Sequence, residues 1–197
     1  RGMGDKVKQQ VALNMPLIAP ISEGQQLGTV QIVGDGKTLT AANLALTIDA
    51  EEAERLELSL EIIEALAADG GLFANGWQGF RMALQAYQKR AVPLVDWVVA
   101  LARRYNRRLM VRLVKGAYWD SEIKRAQVAG LPGYPVYTTK AATDLSYLVC
   151  ARALLNAAPA LYGQFATHNA HTLAAVRQMA RQAGLSPEFQ RLHGMGE

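Results

Sequence analysis

"RLMVRLVKGAYWDSE", residues 108–122, is the stretch on which the fold turns. It reads as a buried strand that ends at Lys115 and Gly116. Successive side chains of a strand point to opposite faces, so Arg112 shares a face with Met110 and Val114 and should point into a layer of buried side chains. A lone buried guanidinium is costly unless it meets a fixed anion or a ring of acceptors. An ion pair with a carboxylate such as Asp49 and a contact to a ligand would each satisfy Arg112. Lys115, at the strand end, either reaches solvent at the mouth of a barrel or takes part in chemistry.

On both sides of this strand, from about residue 43, the chain alternates short apolar runs with helical patterns. NLALTID reads as a strand ending at Asp49, a candidate N-cap; the helix after it carries Leu56, Leu60, Ile63 and Ala67 at helical spacing, with acidic residues from Glu51 in its first turn. GFRMALQAY is the next strand, followed by a helix with Leu94, Val98, Leu101 and Tyr105 along one side. After the central strand a Gly- and Pro-rich connection, AGLPGYPVYTT, leads to a helix with Leu145, Leu148, Val149 and Leu155. LYGQFAT, a helix with Leu173, Val176, Ala180 and Ala183, and a last strand FQRLHG complete five strands alternating with four helices.

Parallel strands need helical crossovers, so this order implies a parallel α/β sheet, either doubly wound or part of a (β/α)8 barrel. The polar residues choose the barrel. Asp49, Gln85 and Lys89, Lys115 and Tyr118, Thr167 and His168, and His193 all fall at or just after C-terminal strand ends, where a barrel keeps its active site. No GxGxxG follows a strand and no GxxxxGK[ST] occurs. A full barrel takes about 250 residues, so about five β/α units make a partial one. Residues 1–42 differ: PLIAP, the turn SEGQ, LGTVQIV and the turn GDGK read as short antiparallel strands. The expected division is a β-rich segment at 1–42 and a barrel portion at 43–197, with the junction near TLTAAN.

Composition limits the function. Half of the 197 residues are apolar, enough for a real core, and 21 Lys and Arg against 17 Asp and Glu give +4, well short of a nucleic-acid signature. The single cysteine, Cys150, excludes an internal disulfide and suits a reducing compartment. RGMGDKVKQQ lacks the apolar core of a signal peptide, and AVPLVDWVVALA, broken by Asp96, is too short to span a bilayer. These features point to the cytoplasm. His168 and His171 lack a third ligand and read as hydrogen-bonding residues, so no metal site is expected. Arg103, Arg104, Arg107 and Arg108 read as a solvated helix end, Trp77 and Trp97 as packing residues, and His193 as a strand histidine.

"LTIDAEEAERLELSLEIIEAL", "QAYQKRA", "RLMVRLVKGAYWDSEIKRAQVAGLPGYPVYTTK", "QFATHNAHTLAA" and "LHGMGE" together resemble the proline dehydrogenase domain of the bacterial bifunctional proline utilisation protein A, from about residue 43 to the end. The resemblance implies a (β/α)8 flavoenzyme that moves a hydride from L-proline to FAD, gives pyrroline-5-carboxylate, and passes electrons to membrane quinone while peripherally associated with the inner membrane. It implies that Arg112 lies against flavin N5, with Val114 beside it, and that Gln85 bonds the pyrimidine edge. Trp119 would pack near the rings, Thr138 and Lys140 would meet the phosphate and AMP portion, and Thr167, His168 and Asn169 the ribose and adenine side. Asp49, Lys115, Tyr118 and Leu192 would line or support the proline pocket.

The family clamps the substrate carboxylate with two arginines after the eighth strand, assisted by a lysine from the first strand. This chain is expected to lack the first two strands and the last. MPLIAPISEGQQLGTVQIVGDGKTL resembles the C-terminal β-rich domain of penicillin-binding D-alanyl-D-alanine carboxypeptidases, without an SxxK, SxN or KTG motif. The chain then reads as a chimera of two unrelated pieces. Three functions follow: an FAD-dependent proline dehydrogenase, truncated and inactive alone; a non-catalytic fragment or chimera; or a barrel enzyme with Lys115 as Schiff-base lysine. Exposed sheet edges would favour self-association.

Overall fold

The computed structural model describes residues 7–13, 28–34, 37–40, 46–73 and 77–195. Contacts divide the chain into two compact units, residues 1–44 and 45–197. In the first, β1 (Val7–Leu13), β2 (Gly28–Gly34) and β3 (Lys37–Thr40) form an antiparallel sheet in that order, with Val7 opposite Gly34 and Leu13 opposite Gly28. Strand β1 had no counterpart in the sequence reading, and PLIAP and SEGQ lie outside the described residues.

The second unit carries β4 (Leu46–Ile48), β5 (Phe80–Gln85), β6 (Leu109–Val114), β7 (Leu161–Ala166) and β8 (Glu188–Gln190), all parallel and hydrogen-bonded in chain order. A doubly wound sheet reverses its strand order at a switch point; this one does not. Right-handed crossovers with unreversed order put every helix on one face of the sheet, so the unit is a five-stranded portion of a (β/α) barrel. The helices are α1 (Leu56–Ala68), α2 (Ala91–Arg104), α3 (Trp119–Val128), α4 (Lys140–Asn156) and α5 (Ala170–Gln182). Their layer is continuous, with α1 against α2, α2 against α4, and α4 against α5.

Strand periodicity divides the side chains between two faces. Phe80, Met82 and Leu84 of β5, Leu109, Val111 and Leu113 of β6, and Leu161 and Phe165 of β7 are buried together with Val95, Val98, Leu101, Leu154 and Val176 from the helices. Each such side chain contributes roughly 1.5–3 kcal/mol when fully buried. The opposite face holds Arg81, Ala83 and Gln85 of β5, in register with Met110, Arg112 and Val114 of β6. Arg112 therefore shares the face expected of it, but the layer there is open: its side chain keeps 28% of its accessible surface.

Four further expectations are corrected. Helix α3 was missed because its buried residues are Glu122 and Ala126, which give no apolar stripe. In α4 the inward face is Ser146, Tyr147, Cys150, Ala151, Leu154 and Leu155, while Leu145 and Val149 are exposed; inward Ser146 and outward Leu145 blur the periodicity. Asp49 does not cap α1, since a 3-10 turn at Ala53–Arg55 intervenes and Arg55 holds the N-cap position. Strand β8 ends at Gln190, so Leu192 and His193 lie beyond it.

Tyr147, fully buried on α4, has its hydroxyl 3.3 Å from the Leu113 carbonyl and 3.2 Å from the Ala166 carbonyl, and its one O–H donates to either in turn. Burial pushes its hydroxyl far above the ordinary tyrosine value. Tyr147→Phe should cost about 1 kcal/mol, the net value of a neutral hydrogen bond, measured by urea unfolding. An unchanged midpoint would show that the hydroxyl adds nothing.

Candidate active site

The C-terminal ends of the five strands converge on a cavity of about 1220 Å³. Strand termini present side chains to a common space in a parallel barrel, because all strands point the same way and their loops emerge on one rim. Of the residues singled out in the sequence, Asp49, Gln85, Arg112, Val114, Lys115 and Tyr118 line it on one side. Thr167, His168, Asn169 and Leu192 line it on the other. Trp119, Thr138 and Lys140 are not among the lining residues. Trp119 is exposed and its indole N–H donates to the Tyr137 carbonyl at 2.9 Å, while Thr138 just before α4 and Lys140 at its first residue sit on the surface.

Arg112 Nη2 contacts Asp49 Oδ1 at 2.6 Å, a charge-assisted bond between the end of β4 and the inner face of β6. Of the two partners foreseen for Arg112, the structure contains the carboxylate. Gln85 is 2% exposed and is occupied at both ends: Nε2 donates to the Glu51 carbonyl at 2.7 Å, and Oε1 accepts the Ala117 N–H at 3.0 Å. Its second amide hydrogen and second oxygen lone pair are what it has left for a ligand. Tyr118 donates its hydroxyl to Glu51 Oε2 at 3.2 Å, and that carboxylate raises the phenol above its ordinary value.

Lys115 is ion-paired with Asp144 of α4, which also holds Lys140. The hydrogen bond from Lys115, then that from Lys140, lowers the Asp144 pKa. Because the folded-state value is depressed, the pair's stabilisation is present above the unfolded carboxylate value and is lost as pH falls through the folded one. The loss lies below the ordinary aspartate value of about 3.9. Partial exposure limits it to about 1 kcal/mol. Asp144→Asn should flatten the acid limb of a stability-versus-pH curve; an unchanged limb would remove Asp144 from it.

On the far side, much of the expected ligand chemistry is used by the fold. Asn169 is the N-cap of α5, its Oδ1 accepting from the Thr172 N–H at 2.9 Å and the Thr172 hydroxyl at 3.1 Å. Thr167 Oγ1 accepts the Asn169 N–H at 3.1 Å. His168 Nε2 accepts the Leu192 N–H at 3.1 Å, tying the segment after β8 to the cavity rim. His171 is exposed on α5, and among the described residues no cluster of metal ligands forms.

Sequence reasoning missed Glu51, Gly116, Gln190 and Arg191, which also line the cavity, and Asp144, which holds Lys115 from behind. Glu51 was masked by the acidic run it belongs to, which reads as a helix start. A count of turns would have found it, because Glu51 lies only two residues beyond Asp49 at the strand end. The neighbouring carboxylates bind the same wall from outside: Glu122 Oε1 accepts the Ala53 N–H at 2.6 Å, and Arg125 bridges Glu52 at 3.2 Å and Glu54 at 2.7 Å.

Known proteins share this architecture. A family profile described as proline dehydrogenase matches residues 36–197, and one described as the C-terminal domain of penicillin-binding protein 5 matches residues 1–52. The bifunctional protein PutA of Salmonella typhimurium is 58% identical over 157 residues, which are 79% of this chain and 12% of that protein. PutA of Escherichia coli is 57% identical over 157 residues, with the same shares. The crystal structure of a Bradyrhizobium japonicum proline utilization A mutant superposes with a TM-score of 0.74 at 62% identity, covering 79% of this chain and 16% of that one. The chain thus spans about an eighth of the length of these curated relatives, 12% in each case. On the profile match over residues 36–197 and the shared barrel architecture, the chain belongs to the proline dehydrogenase family.

Proposed function

We propose that residues 43–197 are the barrel portion of an FAD-dependent proline dehydrogenase acting on L-proline. The observation that carries this reading is the cavity at the strand ends, where Arg112, Lys115, Gln85 and Tyr118 meet in a chain 57% identical to Escherichia coli PutA over 157 residues. At about 1220 Å³ the cavity exceeds the roughly 300–1,000 Å³ of ordinary small-ligand pockets and suits a cofactor with a small substrate beside it. Val114, Ala117, Ala166 and Phe189 supply apolar wall, and Arg112, Lys115 and Arg191 positive charge, a fit to a ring system that gains electron density. The fit covers the ring portion, because Thr138 and Lys140, expected at the phosphates, stand outside the cavity lining.

When bound, FAD supplies a two-electron acceptor for the hydride that leaves the proline ring as its nitrogen loses a proton and a C=N bond forms. Arg112 holds a fixed positive charge on the cavity floor, oriented by Asp49. Tyr118, its hydroxyl donated to Glu51, offers an aromatic wall and an oxygen that can accept a hydrogen bond. Leu192 closes the opposite side with its N–H fixed on His168. In this reading a quinone at the membrane surface would serve as the electron acceptor. Among the described residues no helix is long and apolar enough to cross a membrane. Among the described residues β4 and β8 each have one edge without a strand partner in the five-stranded sheet, which favours self-association.

Residues 1–42 form a β segment of separate origin in this reading, supported by the two profiles that share the chain. A second reading, a non-catalytic fold, is favoured by Arg112 and Lys115 both being paired within the protein. The Schiff-base reading has no such support, because the Lys115 amine is engaged by Asp144. The test is a visible absorption spectrum after incubation with FAD and desalting, followed by addition of L-proline. Retained flavin that bleaches supports the enzyme; retained flavin that does not bleach places the defect at substrate; absence of flavin favours the non-catalytic fold.

A further inference from the structure

Two loops form one wall of the cavity, residues 49–51 after β4 and residues 115–118 after β6, and a single buried side chain joins them. Gln85 takes the Glu51 carbonyl with its Nε2 at 2.7 Å and the Ala117 N–H with its Oε1 at 3.0 Å. Ala117 is followed by Tyr118, whose hydroxyl returns to the Glu51 carboxylate at 3.2 Å. The result is a closed circuit that starts and ends on Glu51. A ring of hydrogen bonds fixes each member more firmly than a branch does, because no link can move without straining the others.

We infer that Glu51 is a positioning residue, which holds the Tyr118 ring and hydroxyl against the cavity and thereby sets the affinity for the amino-acid substrate. Tyr118 is at the N-cap position of α3, so its backbone is set by the helix and by Ala117, and its side chain is oriented by Glu51. Glu51 is itself exposed; its carbonyl is fixed by an amide that is 2% exposed. By accepting that hydrogen bond the carboxylate raises the Tyr118 hydroxyl above its ordinary value, and Asp49 and Glu52 on the same loop add negative charge in the same sense. Tyr87, which follows β5, is the neighbouring titratable group, and burial pushes its own hydroxyl up to about 12. Arg112 and Lys115, on the strand that leads into Tyr118, are engaged by Asp49 and Asp144.

The substrate part of this inference rests on the proposed function; the positioning part does not. The experiment is therefore in two arms on the full chain. In the first, the ultraviolet titration of tyrosine is compared with that of Tyr118→Phe, so that the difference isolates Tyr118. In Glu51→Gln, which still accepts a hydrogen bond but carries no charge, the Tyr118 midpoint should move down toward the ordinary value of about 10. A midpoint that does not move would overturn the inference, as a merely structural Glu51 would leave the phenol unshifted.

In the second arm, binding of L-proline to the FAD-loaded chain is measured by flavin fluorescence. Glu51→Ala and Tyr118→Phe should each weaken binding about 10-fold, and the double variant no further, since contacting residues that act as a unit are not additive. Glu51→Gln should recover part of the loss. Full additivity, or wild-type affinity in Glu51→Ala, would overturn the positioning role. If no form binds L-proline while the Tyr118 midpoint still moves, the positioning of Tyr118 stands and the proline reading fails.

Discussion

Arg112→Met should leave the fold intact and remove proline-dependent flavin reduction. The two halves of this expectation have different causes. Asp49, the partner of Arg112, is 66% exposed, so removing the cation leaves a carboxylate that water solvates. Exposed pairs contribute 0–1 kcal/mol, and the unfolding midpoint should shift by no more than that. Removing a preorganised charge from the place where negative charge develops costs about 10²–10³ in rate. Stopped-flow bleaching of the FAD-loaded protein by L-proline is the measurement. A variant that reduces flavin at the wild-type rate would take Arg112 out of the chemistry and leave it an ion-pair partner for the β4 loop.

Gly116→Ala should be the most destabilising single-methyl change near the site. Gly116 has φ +146°, in the region that L side chains rarely adopt, and a Cβ there would lie 2.4 Å from Cγ and Cδ2 of Tyr87. The ring cannot retreat. Tyr87 is 2% exposed, its N–H donates to the Lys115 carbonyl at 2.7 Å, and its carbonyl accepts the Tyr137 N–H at 2.8 Å. Backbone strain and overpacking each cost about 1–3 kcal/mol, so a loss of about 2–5 kcal/mol is expected. Gly133, with nothing within 4 Å of its would-be Cβ, is the control, and Gly133→Ala should be near neutral. Equal urea midpoints for the two variants would show that the Tyr87 ring gives way.

What the sequence discloses here depends on whether the signal is periodic. Strands β5, β6 and β7 are legible because their outward faces are apolar at every second position, and α2 because Leu94, Val98 and Leu101 recur at helical spacing. Helix α3 is illegible because a carboxylate, Glu122, occupies its inward face, where it caps a backbone N–H rather than packing. The site follows the same rule. Arg112, Lys115 and His168 stand out because polar residues at strand ends have no packing reason to be there. Asp144 does not, since a charged residue near the start of a helix looks solvated until Lys115 is seen against it. The motif resemblance located the cavity rim, yet Thr138 and Lys140 fall outside its lining and Asn169 serves as a helix cap, roles that only the packing of α4 and α5 decides.

The bonds from Glu122 and Arg125 to residues 52–54 carry a consequence for how the molecule breathes. Among the described residues, the links that pin the loop after β4 from outside originate on α3, a helix with two buried residues and little apolar area to hold it down. Segments with few buried contacts open at low free energy and do so as cooperative units. When α3 lifts, the loop bearing Asp49 and Glu51 loses its outer anchors in the same event, so amide exchange at Ala53 should follow the protection of α3 rather than that of α1, to which it is adjacent in sequence. One wall of the cavity thereby inherits the lifetime of the helix least committed to the core.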